Sequence, residues 1–272
     1  MLPTTAILAL VPVILLGFSI YNRVVIPLIA RIFTRRIPQR PQCLLELTLR
    51  DKLFILQAKL VTVLFVYHLF LFITNVEVSH MTVSFTDMPR LLRSVAWMPL
   101  HLPGLFIIYD FFYTLFHWAL HWPPIYPLIH KHHHRQITPF RGNDDAVNDH
   151  PLEYIIGEYN HLFALYLLTR VAPPGQVHAL TAVVFIFIGG TLASLNHTRI
   201  DIRVPYIFNV HAHDLHHSQF KYNYGQYIML WDWVFGTYKH GHSHSEPTLT
   251  GKCHWAPPPP PPPPPHTPQP VE

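Results

Sequence analysis

Five apolar stretches, each close to the thickness of a bilayer's hydrocarbon core, constrain this chain more than any other feature. They run over about Leu2 to Ile20, Leu53 to Thr74, Val95 to Phe116, Leu152 to Leu168 and His178 to Leu195. A helix needs roughly 20 mainly apolar residues to cross that core, where backbone N–H and C=O groups find no water and must be satisfied within the helix. Hydrophobic residues make up 50% of the 272 and charged residues only 12%, a balance that suits a polytopic membrane protein rather than a soluble domain. The predicted fold is all-α, a bundle of about four or five spanning helices.

The net charge is +4, and Arg31, Arg35, Arg36 and Arg40 cluster directly after the first apolar run. Clustered basic residues without interleaved aromatics argue against a nucleic-acid surface; under the positive-inside rule they mark a cytosolic segment. The chain then crosses to the lumen by about Asn75, returns before His117, turns in the lumen at Pro173-Pro174-Gly175 and is cytosolic again by about His197. Because the charges follow the apolar core, the first run reads as a retained anchor rather than a cleaved signal peptide. The polar segment from His80 to Arg93, broken by Pro89, reads as a lumenal loop or surface helix. Cys43 and Cys253 have no partner spacing for a disulfide or a thiolate metal site. The proline run from Pro257 to Pro265 favours extended polyproline II, so residues from about Ser245 onward read as a disordered tail. The expected divisions are an anchor and basic stretch at 1–40, spanning helices with a lumenal loop at 41–106, a catalytic segment at 107–240 and the tail at 245–272.

The 22 histidines are organised. His117 and His121, spaced i and i+4 at the cytosolic end of the third run, put two imidazoles on one helix face, Cβ atoms about 6 Å apart, as two ligands of one metal require. His130, His133 and His134 form His-x-x-His-His, with His132 alongside, and His213, His216 and His217 repeat the pattern. Eight imidazoles without thiolate imply two metal ions, each taking about four donors. His197, delivered by the last apolar run, is a ninth candidate ligand, and His150 is a possible addition. Among the nearby carboxylates, Asp110 and Asp214 are the preferred acceptors for an outer histidine N–H, with Asp144, Asp145, Asp149, Glu153 and Asp232 as further candidates. His68 and His161, inside apolar runs, read as packing or pocket-lining residues. The alternating His240, His242 and His244 read as adventitious at most. Aromatic residues flanking the boxes, Phe111 to Tyr113, Phe116, Trp118 and Trp122, suit a membrane interface better than a lipid channel.

These boxes resemble the fatty acid hydroxylase and sterol desaturase superfamily, whose pattern is His-x3-His, His-x2-His-His and a later His-x2-His-His. The resemblance extends to Leu128-Ile129-His130-Lys131, to His150-Pro151-Leu152-Glu153, to Tyr222-Asn223-Tyr224-Gly225-Gln226, and to Trp231-Asp232 and Phe235-Gly236-Thr237. It implies an endoplasmic reticulum membrane enzyme with a cytosolic helical cap over its spanning helices, two non-haem iron ions and O2 as cosubstrate. It also implies electrons from a separate b-type cytochrome or its reductase. The substrate class is a lipid, with a sterol first (C-5 desaturase or methyl oxidase type) and a fatty acid or other lipid as the alternative. The stretch before Trp231 is more similar to sterol C-5 desaturases than to methylsterol oxidases, whereas Arg135 to Asp149 is similar to neither. Rival classes are a zinc-dependent membrane hydrolase, against which stand the missing His-Glu-x-x-His and the surplus of histidines, and a non-catalytic metal-binding scaffold.

Overall fold

A computed structural model describes residues 12–13, 16–17, 19–38 and 46–240. Within them α1 (Ile26–Ile32) precedes α2 (Leu49–Thr74), the single turn α3 (Val76–Ser79), α4 (Met88–Ala96) and α5 (Met98–Leu120). A 3₁₀ segment, His130–Arg135, and the short α6 (Asn143–Ala146) lead into α7 (Pro151–Val171) and α8 (Ala179–Asn196). Strands β1 (Arg203–Val204) and β2 (Phe208–Asn209) pair antiparallel with Arg203 opposite Asn209, followed by α9 (Val210–Gln219) and α10 (Leu230–Phe235). The fold is helical apart from this ribbon, as the apolar runs predict. Cys43, Cys253, His242, His244 and the proline run lie outside the described residues.

Among the described residues three helices are long and apolar enough to cross a membrane: α2 with 26 residues, α5 with 23 and α8 with 18. Four or five were expected. Most of the run from Leu2 to Ile20 lies outside the described residues. The remaining run forms α7, 21 residues long, whose apolar sequence is interrupted by Glu153, Glu158, Asn160 and His161. Glu153, Asn160 and His161 are buried where α7 packs on α5 and α2, so its polar side turns into the bundle. Leu53, Leu56, Leu60 and Leu64 of α2 and Val183 of α8 are instead exposed, as befits helices whose outward solvent is lipid.

Local chemistry sets the helix ends. Thr48 caps α2 by accepting from Asp51 N–H, and Asp51 Oδ2 accepts from Thr48 N–H at 2.7 Å. Helix α5 stops at His121 ahead of Pro123 and Pro124. Helix α7 opens on Pro151, with His150 Nδ1 accepting from Leu152 N–H. In the α7–α8 turn Gly175 takes φ +77°, a conformation glycine adopts without steric cost, and donates its N–H to His80 O at 2.7 Å. The segment after His80 forms α4, with Pro89 in its first turn.

Phe65, Leu105, Phe106, Leu165 and Phe185 fill the bundle core. A second cluster, Ile37, Leu195, Ile200, Ile202, Phe208 and Val210, seats the ribbon and the start of α9 on the end of α8. Packing therefore brings α9 and the 3₁₀ segment to the end of the bundle where α5 and α8 terminate.

Candidate metal centre

All nine histidines expected from the sequence converge at that end, and they separate into two groups. His117, His121, His130, His134 and His216 form one; His133, His197, His213 and His217 form the other. Within each group the candidate donor atoms lie within 4.8 Å of one another. Helix α5 supplies two residues to the first group and the end of α8 supplies one to the second. The 3₁₀ segment and α9 feed both.

The hydrogen bonds behind the rings decide what the inner nitrogens offer. His117 Nδ1 donates to Tyr224 O at 2.7 Å, His216 Nδ1 to Tyr222 O at 2.7 Å, His197 Nδ1 to Ala193 O at 2.8 Å and His217 Nδ1 to Gln136 O at 3.1 Å. A carbonyl oxygen only accepts, so these Nδ1 atoms carry the hydrogen and their Nε2 atoms present lone pairs. His130 Nδ1 is 2.6 Å from Glu153 Oε1, which holds that ring in the same tautomer.

The inner nitrogens then face one another at hydrogen-bond range without enough protons to share. His117 Nε2 is 3.0 Å from His130 Nε2, which is 2.9 Å from His134 Nε2, itself 3.2 Å from His216 Nε2. In the other group His197 Nε2 is 3.4 Å from His133 Nε2 and 3.3 Å from His213 Nε2, and His213 is 3.1 Å from His217. His121 Nε2 is buried with no partner. Lone pairs packed this way repel unless a cation lies between them. A metal bound at about 2.1 Å sets neighbouring nitrogens about 3.0 to 3.4 Å apart. The residues present therefore fit two metal ions. Burial, reinforced by neighbouring imidazoles, holds His130, His134, His213, His216 and His217 well below the ordinary histidine pKa and pushes His197 down to about 3, so the rings stay in the neutral, metal-binding form.

The expected acceptors are elsewhere. Asp110 accepts backbone N–H bonds from Gln226, Tyr227 and Ile228, and Asp232 accepts from Tyr224 N–H at 2.7 Å and Gly225 N–H at 2.8 Å. Together they hold the Tyr222–Ile228 strip whose carbonyls anchor His216 and His117, so Asp110 supports the site without touching a histidine ring. Asp214 pairs with Arg199; it follows His213 by one residue, about 100° round α9, and so faces away from the group. His150 is an N-cap outside both groups. The carboxylates against the rings are Glu153, on His130, and Asp149, whose Oδ1 lies 2.5 Å from His133 Nδ1 off the line of a hydrogen bond. Both were candidates in the sequence, and only packing distinguishes them. His132 Nε2 lies 3.0 Å from Asn148 Oδ1 and from Asp51 Oδ1, bracing the 3₁₀ segment on α2. His161 bonds Tyr227 and His68 bonds Tyr159, the packing roles expected of them.

A cavity of about 430 Å³ runs from the four-histidine group into the bundle. It is lined by His133 and His197, by Tyr109, Tyr113 and Tyr227, and by Ile186 and Phe187.

A family model described as fatty acid hydroxylase matches residues 102–237, half of the chain. The chain belongs to the fatty acid hydroxylase family. The match begins in the first turns of α5, ends just past α10 and takes in all nine histidines. This family member is 28% identical over 114 residues to the putative Delta(7)-sterol-C5(6)-desaturase 2 of Arabidopsis thaliana, covering 40% of the chain and 37% of that protein. It is 30% identical over 114 residues to a Delta(7)-sterol 5(6)-desaturase of Saccharomyces cerevisiae, covering 41% and 28%. Over a shorter stretch of 45 residues it is 53% identical to lathosterol oxidase of Rattus norvegicus, covering 15% of each. The chain thus spans well under half the length of these curated relatives. No solved structure matches it.

Proposed function

We propose that each histidine group holds one iron ion and that the protein is an O2-dependent membrane oxidoreductase that hydroxylates or desaturates a lipid, with a sterol as the substrate class. The observation that carries this reading is the pair of all-imidazole groups with inner nitrogens facing one another at 2.9 to 3.4 Å. Iron bound there supplies O2 reduction and removal of hydrogen from an unactivated C–H bond. The protein supplies the rest. Carbonyls and Glu153 fix the tautomer and orientation of the rings, burial keeps them neutral, and the cavity brings a lipid to His133 and His197 while excluding water. Hydroxylation and desaturation share this apparatus and differ in where the cavity holds the second hydrogen.

The sterol class is supported by the names of the similar proteins and by the strip Tyr222 to Gln226, whose carbonyls hold ring nitrogens. The proposed ligands are His117, His121, His130, His134 and His216 for one ion and His133, His197, His213 and His217 for the other. Electrons come from a separate b-type cytochrome or its reductase. The arginines at 31, 35 and 36 support a cytosolic histidine cap in the endoplasmic reticulum membrane.

The test is metal content and Mössbauer spectra of anaerobically purified protein, with sterol turnover in the presence of a b-type cytochrome and its reductase. Two irons per chain with a coupled signal are expected, lost in both His133→Ala and His216→Ala. One zinc, unaffected by either substitution, overturns the reading.

A further inference from the structure

The cavity is lined by three carboxyl groups, Asp149, Glu153 and Glu158, and among the described residues by no lysine or arginine. Asp149 and Glu153 contact His133 and His130. Glu158 touches neither group, and the mechanism above does not use it. It lies five residues beyond Glu153 on α7, about 7.5 Å along the helix axis and away from the histidines. A carboxyl group inside a membrane bundle is costly and persists where it has a partner or a task.

Its surroundings describe the task. Thr62 of α2 and Tyr154 line the cavity together with Glu158, and Thr62 Oγ1 lies 2.7 Å from Tyr154 OH. Helix α8 lines the same cavity with Ile186, Phe187, Gly190 and Ala193 as well as Thr191 and Ser194. The cavity thus combines a compact set of oxygen donors and acceptors with apolar side chains. The volume of about 430 Å³ is in the range of small-molecule sites.

We infer that Glu158, with Thr62 and Tyr154, is a subsite for the hydroxyl group of a lipid alcohol. An alcohol can donate to the Glu158 carboxyl and accept from Thr62 or Tyr154. This inference rests on the proposed lipid-oxidising role of the cavity and names the chemical end of the lipid it recognises.

The test is equilibrium binding to the purified full chain in mild detergent, without turnover, using a radiolabelled 3β-hydroxysterol, its 3-O-methyl ether, 1-octadecanol and 1-octadecyl methyl ether. Wild type is expected to prefer the hydroxysterol over its ether by about tenfold, the worth of one buried hydrogen bond left unmade. Glu158→Leu should erase that preference and Thr62→Val should reduce it, while Glu158→Gln, which keeps the shape, should retain part of it. Octadecanol should outcompete its methyl ether. Equal binding of sterol and ether by wild type, or a preference unchanged in Glu158→Leu and Thr62→Val, overturns the subsite. Octadecanol binding with no sterol binding supports the hydroxyl subsite while removing the sterol from the proposed function. Iron content, measured on the same samples, separates failure of the metal reading from both.

Discussion

The five-histidine group takes two of its rings from α5 and is closed by the carbonyls of Tyr222 and Tyr224, whereas the four-histidine group takes its distinctive ring, His197, from α8 and opens through His133 and His197 onto the cavity. The same 3₁₀ segment and the same helix α9 serve both, so the difference arises in the two bundle helices that end beside them. One group is held from behind by backbone carbonyls, and the other contributes two of its rings to the lining of the cavity.

Removing a ring breaks this comparison most severely. His197→Ala or His213→Ala leaves the four-histidine group one donor short, with expected loss of one metal equivalent and of all measurable turnover, read by elemental analysis of purified protein. His121→Ala removes one of five, and is expected to keep more of its metal than either. The reverse order would show that the five-histidine group is the weaker one.

Outer partners come next. Glu153→Gln removes the carboxylate behind His130 and is expected to weaken metal binding about 10- to 100-fold, measured by competition with a chelator. Asp149→Asn acts on His133 through a contact that is not a hydrogen bond, and its effect is expected to be smaller.

The brace under the 3₁₀ segment affects both groups alike. Asp51 accepts from Arg135 Nη1 and Asn148 Nδ2 at 2.7 and 3.0 Å and is buried. Asp51→Ala is expected to cost about 2 kcal/mol of stability, less than a fully buried pair because Arg135 is partly exposed. The readout is thermal unfolding, with metal loss from both groups in parallel. Gly225→Ala acts on one group only. Its Cβ would lie 2.8 Å from Ile228 O and 2.9 Å from Asp232 Oδ2, so the strip must shift, at about 1 kcal/mol. Spectra of the metal centre should change at the five-histidine ion alone.

The membrane helices and the nine rings were legible because both are written in short-range spacing. Pairs at i and i+4 share a group in every case: His117 with His121, His130 with His134, His213 with His217. The third histidine of each later box, His133 or His216, joins the other group, a division that spacing alone did not reveal. The roles of Asp110 and Asp214 were misread for a different reason. Proximity in sequence made Asp214 a preferred acceptor behind a ligand ring, yet one residue of helical rotation points it at Arg199. Asp110 lies two turns from His117 but serves a strip more than a hundred residues away. Glu158 drew no attention in the sequence, being one acid on an apolar helix until α2 and α8 enclosed it.

The sequence alone determined that the chain is a helical membrane protein with the grammar of a two-metal histidine centre, because hydropathy over a bilayer's width and imidazoles one helical turn apart are local properties. Only the tertiary structure decided which ring joins which group, which carboxylates stand behind the rings, and that the four-histidine group borders a cavity lined by three carboxyl groups. Those depend on the meeting of α5, α7, α8 and α9, whose contacts join residues far apart in the chain and leave no periodic trace in it.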